Sequence, residues 1–244
     1  MPSAQSNWYI RFGCLAPIIG IGLLVYLLNT DAIIPGFTFF ALFFGFGVLF
    51  LNLSIRAEQK VKQKQLDYLN SFKPTSPNYN ESHAFVSYDL LSKIAVDEKN
   101  RRIYFWEPET SDGKPLTKAY LHMPYTVKSY TYQQLLAVEL FENGTRQQTV
   151  VNEAPKTIER IEELGQSVEQ IITNKSTLIR KVIYRKVATL EMKVLLDDEE
   201  KPYRIVRFYS NLDKRLKRKS ASYTSVKQDA EHWISLLTFV MNQK

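Results

Sequence analysis

Residues 12–53 are apolar almost without interruption, and the only break is Asn29-Thr30-Asp31. A stretch of that length has to be hidden from water, and two membrane-spanning helices joined by a tight turn hide it most simply. Taken as residues 12–28 and 32–53, at a rise of 1.5 Å per residue, the spans measure roughly 25 and roughly 33 Å against a hydrocarbon core of about 30 Å. Trp8, Tyr9 and Tyr26 suit the headgroup level at the ends of the shorter one. Neither span contains Asp, Glu, Lys or Arg, which argues against an ion or proton path. Pro17 and Pro35 fall in first turns on these boundaries, where a missing N–H costs little. A cleaved signal peptide fits less well, because the apolar region is too long and a second span follows directly.

Small residues recur four apart, Ala16 with Gly20 and Ala41 with Gly45. That spacing allows close helix–helix approach, within the chain or between copies, although Gly and Ala are also simply common in spans. Arg11 precedes the first span, Arg56, Lys60, Lys62 and Lys64 follow the second, and the connecting loop holds only Asp31. Basic flanks favour the cytoplasmic side, so the expectation is a plasma-membrane protein with both termini and the C-terminal domain in the cytoplasm. On that topology the Asn-x-Ser/Thr triplets at Asn80, Asn143 and Asn174 meet no glycosylation machinery. The single cysteine, Cys14, excludes an intrachain disulfide.

The sequence divides into the hairpin (1–54), a juxtamembrane helix and linker (55–83), and a domain over 84–244. The helix of span two is expected to continue to about residue 72. Residues 73–81, rich in Pro, Ser and Asn, read as the linker. Alternating patterns then mark strands at 92–97, 102–106, 128–132, 137–142, 147–151, 187–196 and 203–209. Glu98-Lys99-Asn100 turns the first pair, and Asn143-Gly144 is the strongest short hairpin signal. Residues 107–117, with Asp112-Gly113, read as a polar loop. A helical period over 155–173 (Ile158, Ile161, Leu164, Val168, Ile171) interrupts the strands. An amphipathic helix over 221–241 closes the chain, with Tyr223, Val226, Ala230, Trp233, Leu237 and Val240 on one face. The fold class is therefore α+β: a small bent antiparallel sheet or barrel with an inserted helix, sealed by the last helix.

The runs SKIAVDEKNRRIYFW, YTYQQLLAVELFENG, LEMKVLLDDEEKPYRIVRFY and SYTSVKQDAEHWISLLTFV resemble a loose group of pleckstrin-homology-like (PH-like) domains from Gram-positive bacteria and their phages. The resemblance covers roughly residues 84–244 and departs from the group at 155–186, where relatives carry a glycine-rich hairpin. It implies a PH-like fold without a cofactor or a transferable active site.

Lys214-Arg215-Leu216-Lys217-Arg218-Lys219 is the densest charge run. It suits anionic lipid headgroups, or an ordinary solvated loop; it lacks the interleaved aromatics that would stack bases, so nucleic acid is disfavoured. The net charge of +7 points the same way, to a basic surface without the dense field of a nucleic-acid binder. Lys175, Arg180, Lys181, Arg185 and Lys186 form a second basic cluster, either a surface segment dipping into a bilayer or a strand with a solvated face. Tyr104, Trp106, Tyr130 and Tyr132 line an aromatic groove if exposed together, and are core if not. His83, His122 and His232 lack metal-ligand spacing, and no nucleophile elbow, P-loop or dinucleotide motif is present.

These features point to a non-enzymatic binding module. Its domain engages headgroups or a protein partner, with Lys60, Lys62, Lys64 and Lys214–Lys219 as the membrane face. Two rivals stay open: an immunity- or stress-type membrane protein acting through the Ala16/Gly20 and Ala41/Gly45 faces, and a membrane-bound enzyme with scattered catalytic residues.

Overall fold

The computed structural model describes residues 4–76, 78–109, 116, 119–165 and 185–243. The chain forms two compact units, Met1–Ser71 with Tyr120–Met123, and Phe72–Ala119 with Pro124–Lys244.

The first unit is an antiparallel helix pair, α1 (Ala4–Leu28) and α2 (Ile33–Ser71). Both are long and apolar enough to cross a membrane. The turn between them is closed by Ala32 N–H donating to the Leu27 carbonyl and Asp31 N–H to that of Leu28. Asp31 takes the left-handed conformation, φ 59°. This is a Schellman ending with Asp where Gly is usual.

The helices meet along a seam of missing side chains. A Cβ added at Gly47 would lie 2.8 Å from Pro17 Cγ and 3.0 Å from the Gly13 carbonyl oxygen. One at Gly20 would lie 2.9 Å from Phe43 Cβ, and one at Gly36 3.2 Å from Leu24 Cδ1. Pro17 is thus mid-helix, a correction to the first-turn reading, because α1 starts at Ala4, well before residue 12. A helix-interior proline crowds the carbonyl four residues back. Here Gly47 leaves room for both the ring and that carbonyl. At one end of the seam the Ser6 hydroxyl lies 2.8 Å from that of Ser54 and donates to Glu58 Oε1 at 2.9 Å. Large apolar side chains such as Ile18, Ile21, Ile34, Phe37 and Phe46 point outward.

As expected, α2 runs on without a break to Ser71. Its far end carries Tyr120–Met123: His122 N–H donates to the Gln65 side chain at 2.6 Å, and the His122 ring stands edge-on to Tyr68.

The second unit holds two four-stranded antiparallel sheets. One is β1 (His83–Val86), β2 (Lys93–Asp97), β3 (Arg102–Pro108) and β4 (Tyr125–Thr131), in that order. A 3₁₀ turn, Tyr132–Gln134, leads to β5 (Leu135–Glu142) and β6 (Thr145–Val151). A short α3 (Thr157–Glu163) follows, then β7 (Lys186–Val187), β8 (Thr189–Leu196), β9 (Tyr203–Ser210), β10 (Leu216–Lys217) and α4 (Ala221–Asn242). The second sheet is ordered β6-β5-β8-β9, and β7 pairs with β10 as a separate two-stranded ribbon. The unit is α+β as expected. The sheets do not close into a barrel, although Tyr88 N–H donates to the Arg207 carbonyl at one corner, at 2.7 Å.

One core joins the inner faces of both sheets to α4: Ile103 and Phe105 from the first, Val194 and Val206 from the second, Trp233 and Leu237 from the helix. Each such fully buried side chain stabilises the fold by about 1.5–3 kcal/mol. The anticipated face of α4 is buried, with Ile234 and Met241 added and Val226 partly buried.

The other face of the first sheet is also dry. Tyr104 is 1 % exposed and Trp106 0 %, so the four aromatics are core and not a groove. Phe72, Tyr79 and Glu81, from the stretch read as juxtamembrane helix and linker, pack over this face. The Trp106 indole N–H donates to the Phe72 carbonyl, the Tyr79 ring stands edge-on to Tyr104, and Lys93 pairs with Glu81 while lying over Trp106. Fully buried Asp97 accepts from the Asn80 and Asn100 backbones and from the Asn100 side chain, locking the β2–β3 turn.

Several expectations shift or fall outside the described residues. β1 and β10 go beyond the anticipated strands. In α3, Ile161 is buried as expected, whereas Ile158 faces solvent. The helix anticipated over 155–173 begins at Thr157 and ends at Glu163, with Gly165 at φ 69° just beyond it. Asp112-Gly113, residues 166–173 including Val168 and Ile171, and Asn174, Lys175, Arg180 and Lys181 lie outside the described residues.

Candidate functional site: a basic ribbon on the second unit

Arg185 and Lys186, the described end of one basic cluster, meet Lys217 and Arg218 of the other on one small ribbon. Lys217 pairs with Lys186 across it and Leu216 with Val187, and Arg218 N–H donates to the Arg185 carbonyl at 3.3 Å. Like charges directly opposite on a two-stranded ladder repel, so the pairing must be held from elsewhere.

The β5–β6 turn holds it. Asn143 and Gly144 both have positive φ, 50° and 74°, as a type I′ turn requires. This frees the Asn143 side chain, whose carbonyl accepts from Ala188 N–H and Thr189 N–H and whose amide donates to the Lys186 carbonyl. On the other strand Arg218 turns inward onto Glu142, a carboxylate with a 5 % exposed side chain, which also accepts from the Tyr223 hydroxyl at 2.6 Å. Burial and that hydrogen bond push the Tyr223 phenol up to about 12, so it stays a donor. The ribbon then leads into α4, whose first turn is capped by Ser220 Oγ accepting from Tyr223 N–H.

Of the anticipated anion-binding residues, Lys214, Arg215, Lys217 and Lys219 are exposed on this element, joined by Arg185 and Lys186. Arg218 is the exception: its charge is matched by Glu142, and its role is to fasten the ribbon. Lys60, Lys62 and Lys64 are exposed on α2, in the first unit. At 100° per residue Lys60 and Lys64 share a helix face and Lys62 lies on the opposite one. Of the small residues, Gly20 is at the α1–α2 seam and Ala16 is half-buried. Ala41 is exposed, and Gly45 meets nothing within 4 Å of an added Cβ. Gly13, Gly36 and Gly47 join Gly20 in the within-chain contact. Ser6, Gly13 and Gly20 repeat every seven residues, a signal the four-residue spacing does not catch.

A second polar cluster joins the two sheets. Arg204, 1 % exposed at its side chain, donates to the Tyr130 hydroxyl at 2.5 Å and to Asp198 Oδ2 at 2.6 Å, and lies 3.3 Å from Glu107. Burial alone would raise the Asp198 carboxyl. Hydrogen bonds from Tyr130 and Lys201 N–H, with the charges of Arg204 and Lys128, outweigh it and hold the group at about 2. Burial and Asp198 push the Tyr130 phenol upward. Both groups are driven away from neutrality, which suits a fixed clip and not proton transfer near pH 7. Among the described residues no three His, Cys, Asp or Glu side chains are grouped to hold a metal ion.

No family model, curated protein or solved structure matches this chain. Its class is therefore defined by its own architecture: an α+β protein with a long apolar helix pair and a two-sheet unit bearing an exposed basic ribbon.

Proposed function

We propose that the chain is an integral membrane protein whose second unit is a PH-like, non-enzymatic binding module for anionic lipid headgroups or a protein partner. The burial pattern of the helix pair supports this most directly. Small side chains face inward at the seam and large apolar ones face outward, the arrangement that lipid favours because it offers no hydrophobic drive for helix pairing. Trp8 and Tyr26 are 61 % and 66 % exposed. They are separated along α1 by roughly 27 Å, close to a hydrocarbon thickness of about 30 Å. The basic residues at 56–64 favour a cytoplasmic second unit. The two-sheet, helix-sealed layout agrees with the PH-like resemblance of residues 84–244.

Alkaline carbonate extraction of membranes from expressing cells tests the anchor, and protease accessibility in inverted vesicles tests the orientation. Retention in the pellet with digestion of the second unit only in inverted vesicles is expected. Release by carbonate would sink the reading.

A further inference from the structure

We propose that the tip of the β9–β10 loop is a lipid wedge: Leu212 enters the interfacial layer of an anionic bilayer while the ribbon cations engage lipid phosphates. This rests on the membrane reading above and names the surface and manner of contact.

Leu212 is 71 % exposed, more than Ile158 at 48 % or Phe239 at 57 % on the same unit. A single exposed leucine is ordinary on its own. This one is held out by a preformed loop. Asn211 Oδ1 accepts from Asp213 N–H at 3.0 Å and Lys214 N–H at 2.8 Å, and Asn211 N–H donates to the Ala188 carbonyl at 2.9 Å. The Tyr209 hydroxyl donates to the Lys214 carbonyl, and Arg215 Nε donates to the Leu212 carbonyl at 3.3 Å. The tip therefore pays little ordering entropy on contact.

The charges around it are one-sided. Lys214 and Arg215 follow Leu212 directly, and Lys217, Lys186, Arg185 and Lys219 extend the positive surface along the ribbon. Asp213 is the single exposed acid on the loop, and Glu142 is already matched by Arg218. An apolar tip ringed by cations complements a layer whose phosphates lie above hydrocarbon. A nucleic-acid backbone gives the leucine nothing to bury against, and the described ribbon carries no aromatic to stack on bases.

The test uses the full chain in proteoliposomes, with Cys14→Ser as background and Leu212→Cys carrying a bimane label. Ile158→Cys, labelled in the same way, is the control. In vesicles containing phosphatidylglycerol, doxyl-lipids are expected to quench the label at position 212 and aqueous iodide to quench it weakly. High salt, or the combination Lys214→Glu, Arg215→Glu and Lys217→Glu, restores iodide quenching. In pure phosphatidylcholine, and at position 158 throughout, iodide quenches freely. Equal iodide quenching at 212 in both lipids, with the chain retained after carbonate, overturns the wedge and leaves the anchor standing. So does protection at 212 that depends on an added acidic protein or RNA instead of on lipid. Release by carbonate overturns the membrane reading itself.

Discussion

The helix pair and the two-sheet unit bring surfaces together by opposite means. In the helix pair contact comes from absence: Gly13, Gly20, Gly36 and Gly47 remove side chains so that neighbouring atoms touch, and at one end Ser6 hydrogen-bonds across the seam to Ser54 and Glu58. In the sheet unit an apolar core is supplemented by a buried charge network, Arg204 with Asp198, Tyr130 and Glu107, spanning from one sheet to the other. Close packing suits a lipid-like surrounding, where neither water exclusion nor charge is available cheaply. The ionic clip suits a unit that can solvate its rim. One part of the chain should thus fail sterically, the other electrostatically.

The largest expected effect is from Arg204→Ala. It leaves Asp198 and Glu107 without their buried cation, and breaking such a pair costs about 3–5 kcal/mol. Chemical denaturation in non-ionic detergent should show the sheet unit unfolding early while the helical signal of α1 and α2 persists. Simultaneous loss of both would refute the separation. Next is Gly47→Leu, which overpacks the seam against Pro17 and Gly13 at a cost of about 1–3 kcal/mol. Gly45→Leu, with open space around it, should change thermal stability in micelles by less than about 0.5 kcal/mol. Equal effects at 45 and 47 would mean that the pair does not meet along this seam.

Two carboxylates in the sheet unit sharpen the contrast through pH. Asp198 is held below its ordinary value, so its stabilisation is full above about pH 4 and fades as pH falls toward about 2. Glu139, raised by burial and only partly countered by Arg146 and Lys193, has the reverse sign. Its contribution is full below its unfolded value and is lost as pH rises through the folded one. Denaturation midpoints from pH 2 to 7 should show a shallower acid limb in Asp198→Asn, with Asp97 and Glu81 keeping the remainder, and a smaller decline toward neutrality in Glu139→Gln. A profile unchanged by either substitution would contradict both assignments. Outside the folded interior, Lys60→Ala should remove about 1 kcal/mol of attraction to an anionic surface with no change in the circular dichroism spectrum.

The sequence carried the helix pair and most strands because a bilayer-length apolar run and a period of two are local signals. Asn143-Gly144 was readable for the same reason: a type I′ turn favours that dipeptide. What escaped depends on partners far along the chain. The stretch holding Phe72, Tyr79 and Glu81 looks like a linker until Trp106 needs an acceptor at Phe72. β10 is only two residues long and exists because β7 pairs with it. Arg218 reads as one of a run of cations, and nothing in that run announces that it turns inward to Glu142. The meeting of Arg185 and Lys186 with Lys217 and Arg218 is likewise tertiary. The four-residue spacing catches Gly20 of the within-chain seam and not Gly13, Gly36 or Gly47; along α1 the repeat Ser6, Gly13, Gly20 follows the seam at seven residues.

The unbroken run of α2 has a mechanical consequence. On the proposed membrane reading, a helix that crosses the bilayer and continues past it for residues 54–71 has no joint at which to absorb a change of angle. Were bilayer thickness to alter its tilt by about 10°, Ser71 would swing roughly 5 Å sideways relative to Leu53. Tyr120–Met123, clamped to Gln65 and Tyr68, would ride on that lever arm, so the thickness of the surrounding membrane becomes a force felt beyond its surface.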